Sequence, residues 1–180
     1  GAILMPGTVL LTAKDVAYRV RESEATMVVT DVNHVGRVER AAETSPALKH
    51  KMVVDGHVLE WLSYKDEMAK ASPNLDRGDV EPTASDDPLL IYFTSGTTGY
   101  AKMVLHAQRY ALGHEVTARF AQTLTSSDLH WTVSETGWAK AACGKLFGQM
   151  IVGAAIIQWE TPGRFDAAGL LSAIERYGVT

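Results

Sequence analysis

The chain has 180 residues, of which 46% are hydrophobic and 21% are charged, a balance typical of a soluble globular protein with a packed core. The formal net charge of −4 argues against a nucleic-acid partner, because no segment supplies the concentrated basic face that neutralises phosphates. We therefore expect a small-molecule ligand. The longest apolar run, MIVGAAIIQW, has about half of the length that a membrane crossing needs, so no membrane span is expected.

The first 71 residues alternate predicted strands and helices. Thr12 and Asp15 have the spacing of a capping box, in which the side chains satisfy free amides of the first turn, and they predict a helix over residues 13–23. Its inward face is expected to carry Ala13, Val16, Ala17 and Val20. The other predicted elements are strands at 2–5, 26–30 and 51–54 and helices near 34–43 and 63–71. Their order predicts right-handed crossovers and a parallel sheet.

Residues 72–88 are predicted to form an exposed acidic connector. The segment SPNLDRGDVEPTASDDP holds three prolines, five acidic residues and almost no apolar side chains, so it cannot contribute a core element. The connector divides the chain into an α/β segment at 1–71 and a second α/β segment at 89–180.

The second segment resumes the alternation of strands and helices. Its last helix, at 166–177, is expected to bury Leu170, Leu171, Ile174 and Tyr177 and to end at a glycine cap, Gly178. The predicted strands are at 89–93, 102–106, 130–133 and 151–159, and the other predicted helices are near 107–122 and 138–147. Together the two segments predict an α/β fold with a mostly parallel sheet flanked by helices.

The isolated cysteine, histidine and tryptophan side chains are mostly interpreted as packing residues. Cys143 is the only cysteine, and we interpret it as a core thiol rather than a nucleophile. A single cysteine favours a reducing compartment, the cytoplasm first and the mitochondrial matrix as the alternative. His114 is interpreted as a packed structural histidine, and Trp131 and Trp159 as core residues. For His106, at a strand end, a structural role and a site role both stay open. No zinc site is predicted, since no histidine or cysteine pair has ligand spacing.

The segment YFTSGTTGYAK, residues 92–102, has the composition of a phosphate-binding loop. Between Thr94 and Gly99, glycines let backbone amides and hydroxyls approach anionic oxygens, and Lys102 adds a compact positive charge. The spacing departs from the Walker pattern, because the lysine comes three positions after the second glycine. On composition alone, a flexible hairpin turn between two strands is the alternative interpretation.

The same segment resembles the phosphate-binding signature of the adenylate-forming superfamily, which includes acyl-CoA synthetases, luciferases and adenylation domains. That signature is T-S-G-[ST]-[ST]-G-x-P-K, and eight of its nine positions are matched by residues 94–102. The exception is Ala101, where the family usually has proline, so the loop loses a fixed φ angle and keeps its polar groups. The resemblance implies that ATP phosphates are held by Thr94, Ser95, Gly96, Thr97, Thr98, Gly99 and Lys102.

Two other stretches resemble the medium-chain and acetyl-CoA synthetase-like branch of this superfamily. The run LHWTVSETGWAKAA is similar to a segment in which an acidic residue, a glycine and a tryptophan line the carboxylic-acid pocket, here Glu135, Gly137 and Trp138. The opening GAILMPGTVLLTAKDVAYRV is similar to an early strand and helix of that branch. The resemblance implies activation of a carboxylic, or fatty, acid by ATP and Mg²⁺ and transfer of the acyl group to coenzyme A. No enzyme nucleophile is required, and we assign no catalytic residue.

Later features of that superfamily, including its ribose-binding aspartate and its C-terminal lid with a catalytic lysine, have no counterpart in the sequence. The chain is therefore interpreted as a piece of the large N-terminal domain of an acyl-CoA synthetase, inactive by itself. A stand-alone nucleotide-binding or interaction module is the alternative, and an amino-acid adenylating domain fits the TGW segment poorly. Exposed strand edges are expected to promote self-association.

Overall fold

The computed structural model describes residues 1–74, 78, 80–95, 99–159 and 165–180. These residues form two compact units. The first, which we name the β1–β3 unit, consists of Val9–Thr83 and Phe93–Val104. The second, the β6–β7 unit, consists of Gly1–Thr8, Ala84–Tyr92 and Leu105–Thr180. Strands alternate with helices in both units, which confirms the predicted α/β class.

The first helix of the β1–β3 unit, α1, spans Ala13–Ser23, as predicted. Thr12 is its N-cap, and Thr12 and Asp15 form the reciprocal hydrogen bonds of a capping box. The Asp15 pKa is lowered chiefly by the hydrogen bond from the Thr12 side chain. Of the predicted inward residues, Val20 is buried, and the helix ends where Glu24 adopts a left-handed conformation with φ 52°.

Three short strands form a parallel sheet in this unit. β1 (Met27–Thr30) pairs with β2 (His50–Val53), and β2 pairs with β3 (Leu62–Ser63). A 3₁₀ turn and two helices connect or follow the strands, namely Val32–His34, α2 (Val35–Ala42) and α3 (Tyr64–Lys70). The predicted strands at 26–30 and 51–54 and both predicted helices are confirmed to within about two residues. β3 was not predicted.

The sheet packs on α2 through a small apolar core. Val38, Val53 and Trp61 are buried together. At the edge of this core, one carboxylate oxygen of Glu39 accepts hydrogen bonds from Lys51 Nζ at 2.7 Å and from Trp61 Nε1 at 2.6 Å. These bonds, that of Lys51 first, lower the pKa of Glu39, so the ionised form ties the sheet to the helix.

β4 (Pro88–Thr94) and β5 (Lys102–Ala107) pair with each other and bracket the predicted phosphate loop. Both strands agree with the sequence prediction. The predicted strand at residues 2–5 was wrong, because only Leu4 pairs, through an isolated parallel bridge to Leu90. Pro6 and Gly7 follow at once and allow no longer ladder.

In the β6–β7 unit, two helical stretches contain π-helical turns that the sequence did not predict. α4 (Tyr110–Val116) continues as the π-helical segment Thr117–Ala121. The second stretch runs through Ala139–Ala141 (α5), the π-helical segment Ala142–Leu146 and Phe147–Ile151 (α6). It therefore extends four residues beyond the predicted end at 147.

The strands of this unit are shorter than predicted. β6 (Leu129–His130) pairs in parallel with β7 (Ala155–Ile156). The predicted strands at 130–133 and 151–159 are corrected to these two-residue elements, because Ile151 still belongs to α6 and Gly153, with φ 83°, turns the chain before β7. The buried apolar cluster of the unit consists of Ala118, Leu124, Val152 and Ala154.

The last helix, α7 (Ala167–Tyr177), ends at the predicted glycine cap and begins after an N-cap that was not predicted. Asp166 accepts a hydrogen bond from the Gly169 amide, and Gly178, with φ 63°, closes the helix. The predicted buried face was partly wrong, because Leu171 is 64% exposed and Tyr177 47% exposed, whereas Ala173 is buried. Leu171 follows Leu170 by one residue and is turned about 100° away from it around the helix.

Trp159 was also predicted to be a core residue and is 40% exposed. Its ring packs on Trp131 in a tilted arrangement, with centroids 5.7 Å apart, so each indole covers part of the other. Among the helices that the structure describes, none combines the length and the apolar character that crossing a membrane requires.

Candidate phosphate-binding site

The candidate phosphate loop starts and ends on two paired strands. β4 ends at Thr94, and β5 begins at Lys102. The Thr94 hydroxyl donates a long hydrogen bond, 3.5 Å, to the Lys102 carbonyl oxygen. Both ends of the loop are thereby fixed, as either an anion cradle or a hairpin turn requires. The predicted residues Gly96, Thr97 and Thr98 lie outside the described residues.

The described residues of the loop present polar groups to solvent. Thr94, Ser95, Gly99 and Lys102 are all exposed. Within the described part of the chain, the Lys102 ammonium forms no ion pair. It is therefore available to an external anion. Segment 94–102 carries no carboxylate, so its hydroxyls, amides and ammonium suit a polyphosphate better than a bare cation.

Gly99 adopts a backbone conformation that favours glycine. Its φ is 96°, and a Cβ built on it would meet no atom within 4 Å. The requirement for glycine at this position is therefore conformational rather than steric. The motif glycine thus sets the direction in which the chain returns toward Lys102.

Tyr18, which sequence reasoning did not single out, contacts both flanks of the loop. Its hydroxyl donates a hydrogen bond to the Ala101 carbonyl oxygen at 2.9 Å. Its ring stacks on Tyr100, with centroids 5.2 Å apart, and meets the edge of Phe93 at 6.0 Å. The sequence gives one signal that Tyr18 faces the protein. This residue lies in the capped helix, directly after the predicted inward residue Ala17.

Arg19 reinforces the amino-terminal flank of the loop. Its guanidinium lies 4.8 Å from the centroid of the Phe93 ring, a cation–π distance. Burial lowers the pKa of Arg19, and nearby Asp15 opposes that shift. One turn of α1 therefore supports the strand ends on either side of the loop.

The predicted acyl-pocket residues lie in the β6–β7 unit, whereas residues 94, 95, 99 and 102 belong to the β1–β3 unit. Trp138 is 56% exposed, so its indole is free to form a wall against an apolar group. The Gly137 amide donates a hydrogen bond to a carboxylate oxygen of Glu135 at 3.2 Å. The other oxygen of Glu135 is buried and has no hydrogen-bond partner in the described residues.

The same unit also contains a cluster of histidine and tyrosine side chains. The His106 ring is 4.0 Å from that of Tyr110, and Tyr110 is 4.5 Å from His114. Burial raises the pKa of Tyr92 to about 12, with smaller contributions from Tyr110 and Cys143. These contacts agree with the packed role predicted for His114 and give His106 a packing role as well.

Comparison with known proteins identifies relatives over the whole chain. A family model for AMP-binding enzymes matches residues 1–180. The human mitochondrial acyl-coenzyme A synthetase ACSM4 is 38% identical over 182 residues, which cover 100% of this chain and 31% of that protein. The chain thus spans about a third of the length of the curated relatives that it matches.

Solved structures show the same fold. An acyl-CoA synthetase from Brucella canis superposes with a TM-score of 0.81 at 24% identity, covering 100% of this chain and 32% of that one. The anthranilate CoA ligase AuaEII, solved with anthranoyl-AMP, gives a TM-score of 0.82 at 24% identity, covering 96% and 33%.

Proposed function

Because the chain belongs to the family of AMP-binding enzymes, we propose that the protein containing it is an AMP-forming acid–CoA ligase, an acyl-CoA synthetase. The observation that carries the proposal is the loop of residues 94–102. At the start of β5 it has an exposed lysine that forms no ion pair with any described residue. The acyl-CoA synthetases among its relatives favour this activity over that of other adenylate-forming enzymes.

The proposed reaction has two steps. A carboxylate oxygen attacks the α-phosphorus of ATP, the bond from that phosphorus to the β-phosphate oxygen breaks, and pyrophosphate leaves. The thiol of coenzyme A then attacks the acyl carbon, loses its proton, and displaces AMP. In this reaction the barrier is lowered mainly by positioning the reactants and neutralising the phosphate charge. A rigid set of hydrogen-bond donors can do both.

In the first step, Lys102 and the loop residues Thr94, Ser95, Gly96, Thr97, Thr98 and Gly99 hold the β- and γ-phosphates. The loop has no carboxylate ligand for a metal, so Mg²⁺ is expected to arrive with the triphosphate and share its charge. Gly137 and Trp138 shape the acyl pocket, where the exposed indole supplies an apolar wall for a fatty acid.

The 180 residues by themselves are proposed to lack turnover, because they span about a third of the related synthetases. Residues 1–71 and 89–180 are proposed as two segments of one AMP-binding domain, joined by the connector at 72–88. For the location of this protein, the mitochondrial names of the ACSM relatives support the mitochondrial alternative over the cytoplasm.

Acid-dependent exchange of labelled pyrophosphate into ATP by the full-length protein tests the proposal. A panel of short, medium-chain and aromatic carboxylic acids is assayed with ATP and Mg²⁺, and product formation with coenzyme A is followed by mass spectrometry. We expect exchange with at least one acid and the matching acyl-CoA thioester. ATP binding without exchange for any acid would instead support the nucleotide-binding module.

A further inference from the structure

The backbone on both sides of Lys102 Cα is held by side-chain hydrogen bonds. The Ala101 carbonyl oxygen accepts from the Tyr18 hydroxyl at 2.9 Å, and the Lys102 carbonyl oxygen accepts from Thr94 at 3.5 Å. A peptide group is planar, so the bond to the Ala101 oxygen also orients the plane that contains the Lys102 nitrogen. The lysine is thus positioned through its main chain, while its ammonium makes no ion pair within the described residues.

The residue held by Tyr18 is the one at which the sequence departs from the family signature. Proline at this position fixes φ near −65°, whereas alanine leaves it free to rotate. In this chain the constraint comes from outside the loop, through the Tyr18 hydroxyl and the stacking of its ring on Tyr100.

Tyr18 itself projects from a rigid element. It lies in the middle of α1, which has a complete capping box at its start and buries Val20. The same ring packs on Phe93, the residue before Thr94, and so links the amino-terminal flank of the loop to the carboxyl-terminal one. A displacement of Tyr18 would therefore move both ends together.

We propose that Tyr18 is a positioning residue for nucleotide binding: it fixes the backbone from which Lys102 reaches the triphosphate and replaces the constraint of the missing proline. This inference rests on the proposed function, because it concerns the ATP-binding step of that reaction.

The test uses the full-length protein and three variants, Tyr18→Phe, the double variant Tyr18→Phe with Ala101→Pro, and Tyr64→Phe. Tyr18→Phe removes only the hydroxyl and keeps the stacked ring, so the fold is retained. Tyr64→Phe is the matched control, since Tyr64 lies in the same unit, is 46% exposed and has no described hydrogen bond through its hydroxyl. The readouts are KM for ATP, KM for the acid, kcat, and nucleotide-free amide hydrogen exchange of a peptide covering residues 99–103.

We expect Tyr18→Phe to raise KM for ATP about 3- to 10-fold, because one neutral hydrogen bond is lost. Amide hydrogen exchange at residues 99–103 should become faster, and kcat and KM for the acid should change little. Adding Ala101→Pro restores KM for ATP to within about twofold of wild type, and Tyr64→Phe changes nothing.

Unchanged KM for ATP in an active Tyr18→Phe enzyme would overturn the positioning role, as would failure of Ala101→Pro to restore it. Faster exchange without a change in KM also overturns it, since that result describes a merely structural contact. Absence of acid-dependent exchange in the wild-type protein is a different result and overturns the proposed function instead.

Discussion

Gly137 and Thr8 lie backbone against backbone, so that a Cβ on Gly137 would stand 2.1 Å from the Thr8 nitrogen. Real Cβ atoms essentially never come this close to backbone atoms. The glycine of the TGW segment therefore has a packing reason of its own, separate from its proposed role in an acyl pocket. It allows the segment before Trp138 to lie against the beginning of the chain.

Gly137→Ala is expected to destabilise the protein by about 1–3 kcal/mol, the usual cost of overpacking, because the Thr8 backbone must shift. The measurement is the midpoint of urea unfolding. Gly113→Ala is the control, since a Cβ there meets no atom within 4 Å and α4 gains up to about 1 kcal/mol of helix propensity. Equal midpoints for the two variants would contradict the packing explanation.

Gly99→Ala should weaken ATP binding through backbone strain alone. Its φ of 96° disfavours alanine, while its Cβ position is open. Gly56→Ala provides a matched control, because Gly56 has φ 75°, also in open space, in the same unit. Both variants are expected to lose about 1 kcal/mol of stability, and only Gly99→Ala should raise KM for ATP. If Gly56→Ala raised it equally, the effect would be one of general stability.

Lys102→Ala should lower ATP affinity about 10- to 100-fold, the range of one charge-assisted hydrogen bond. Isothermal titration of the full-length protein with ATP and Mg²⁺ measures this affinity. Lys65→Ala, at another exposed lysine in the β1–β3 unit, removes the same charge away from the loop and should leave the affinity unchanged. A similar loss in both variants would indicate non-specific charge attraction.

The packed His114 should make stability depend on pH. Burial, with a smaller contribution from the charge of His106, lowers the pKa of His114, so the folded state favours the neutral ring. This contribution to stability is complete above the unfolded-state pKa of about 6.5 and declines as the pH falls from there through the lowered folded-state pKa.

Urea unfolding between pH 8 and pH 5 measures this decline. In His114→Gln the loss of stability on acidification should be smaller than in the wild-type protein. The exposed His50→Gln serves as the control for removing one histidine. Parallel stability curves for wild type and His114→Gln would show that the ring is not selectively neutral in the fold.

Sequence alone predicted the elements whose ends carry local signals. α1 follows directly from the Thr12 and Asp15 capping box, and the end of α7 from its Gly178 cap. These signals act within one helical turn, so they do not depend on the rest of the fold. The ends of β4 and β5 were equally clear, because apolar runs border a loop rich in glycine and threonine.

Features that depend on tertiary packing were not predictable. The π-helical turn in which the Gln122 amide bonds to the Thr117 carbonyl uses residues that also suit an α-helix. The close approach of α6 to α4 is not indicated by any sequence pattern either. At this contact a Cβ on Gly148 would stand 2.1 Å from the His114 carbonyl oxygen.

The candidate site likewise has one part that the sequence predicted and one part that it did not. Its loop is a contiguous motif and was predicted from the sequence, with residues 94–102 carrying the resemblance. Tyr18 was missed, because it is 83 residues away from Ala101 and the contact exists only in the folded chain. Motif analysis finds the groups that would touch the phosphates, whereas the residues that orient them require the structure.

The most direct test of phosphate binding by the loop is a crystal structure of the full-length protein with Mg²⁺ and a non-hydrolysable ATP analogue. The β- and γ-phosphates are expected within hydrogen-bond distance of the backbone and hydroxyls of residues 94–99 and of the Lys102 ammonium. A triphosphate bound away from these residues would show that the loop is only a turn between β4 and β5.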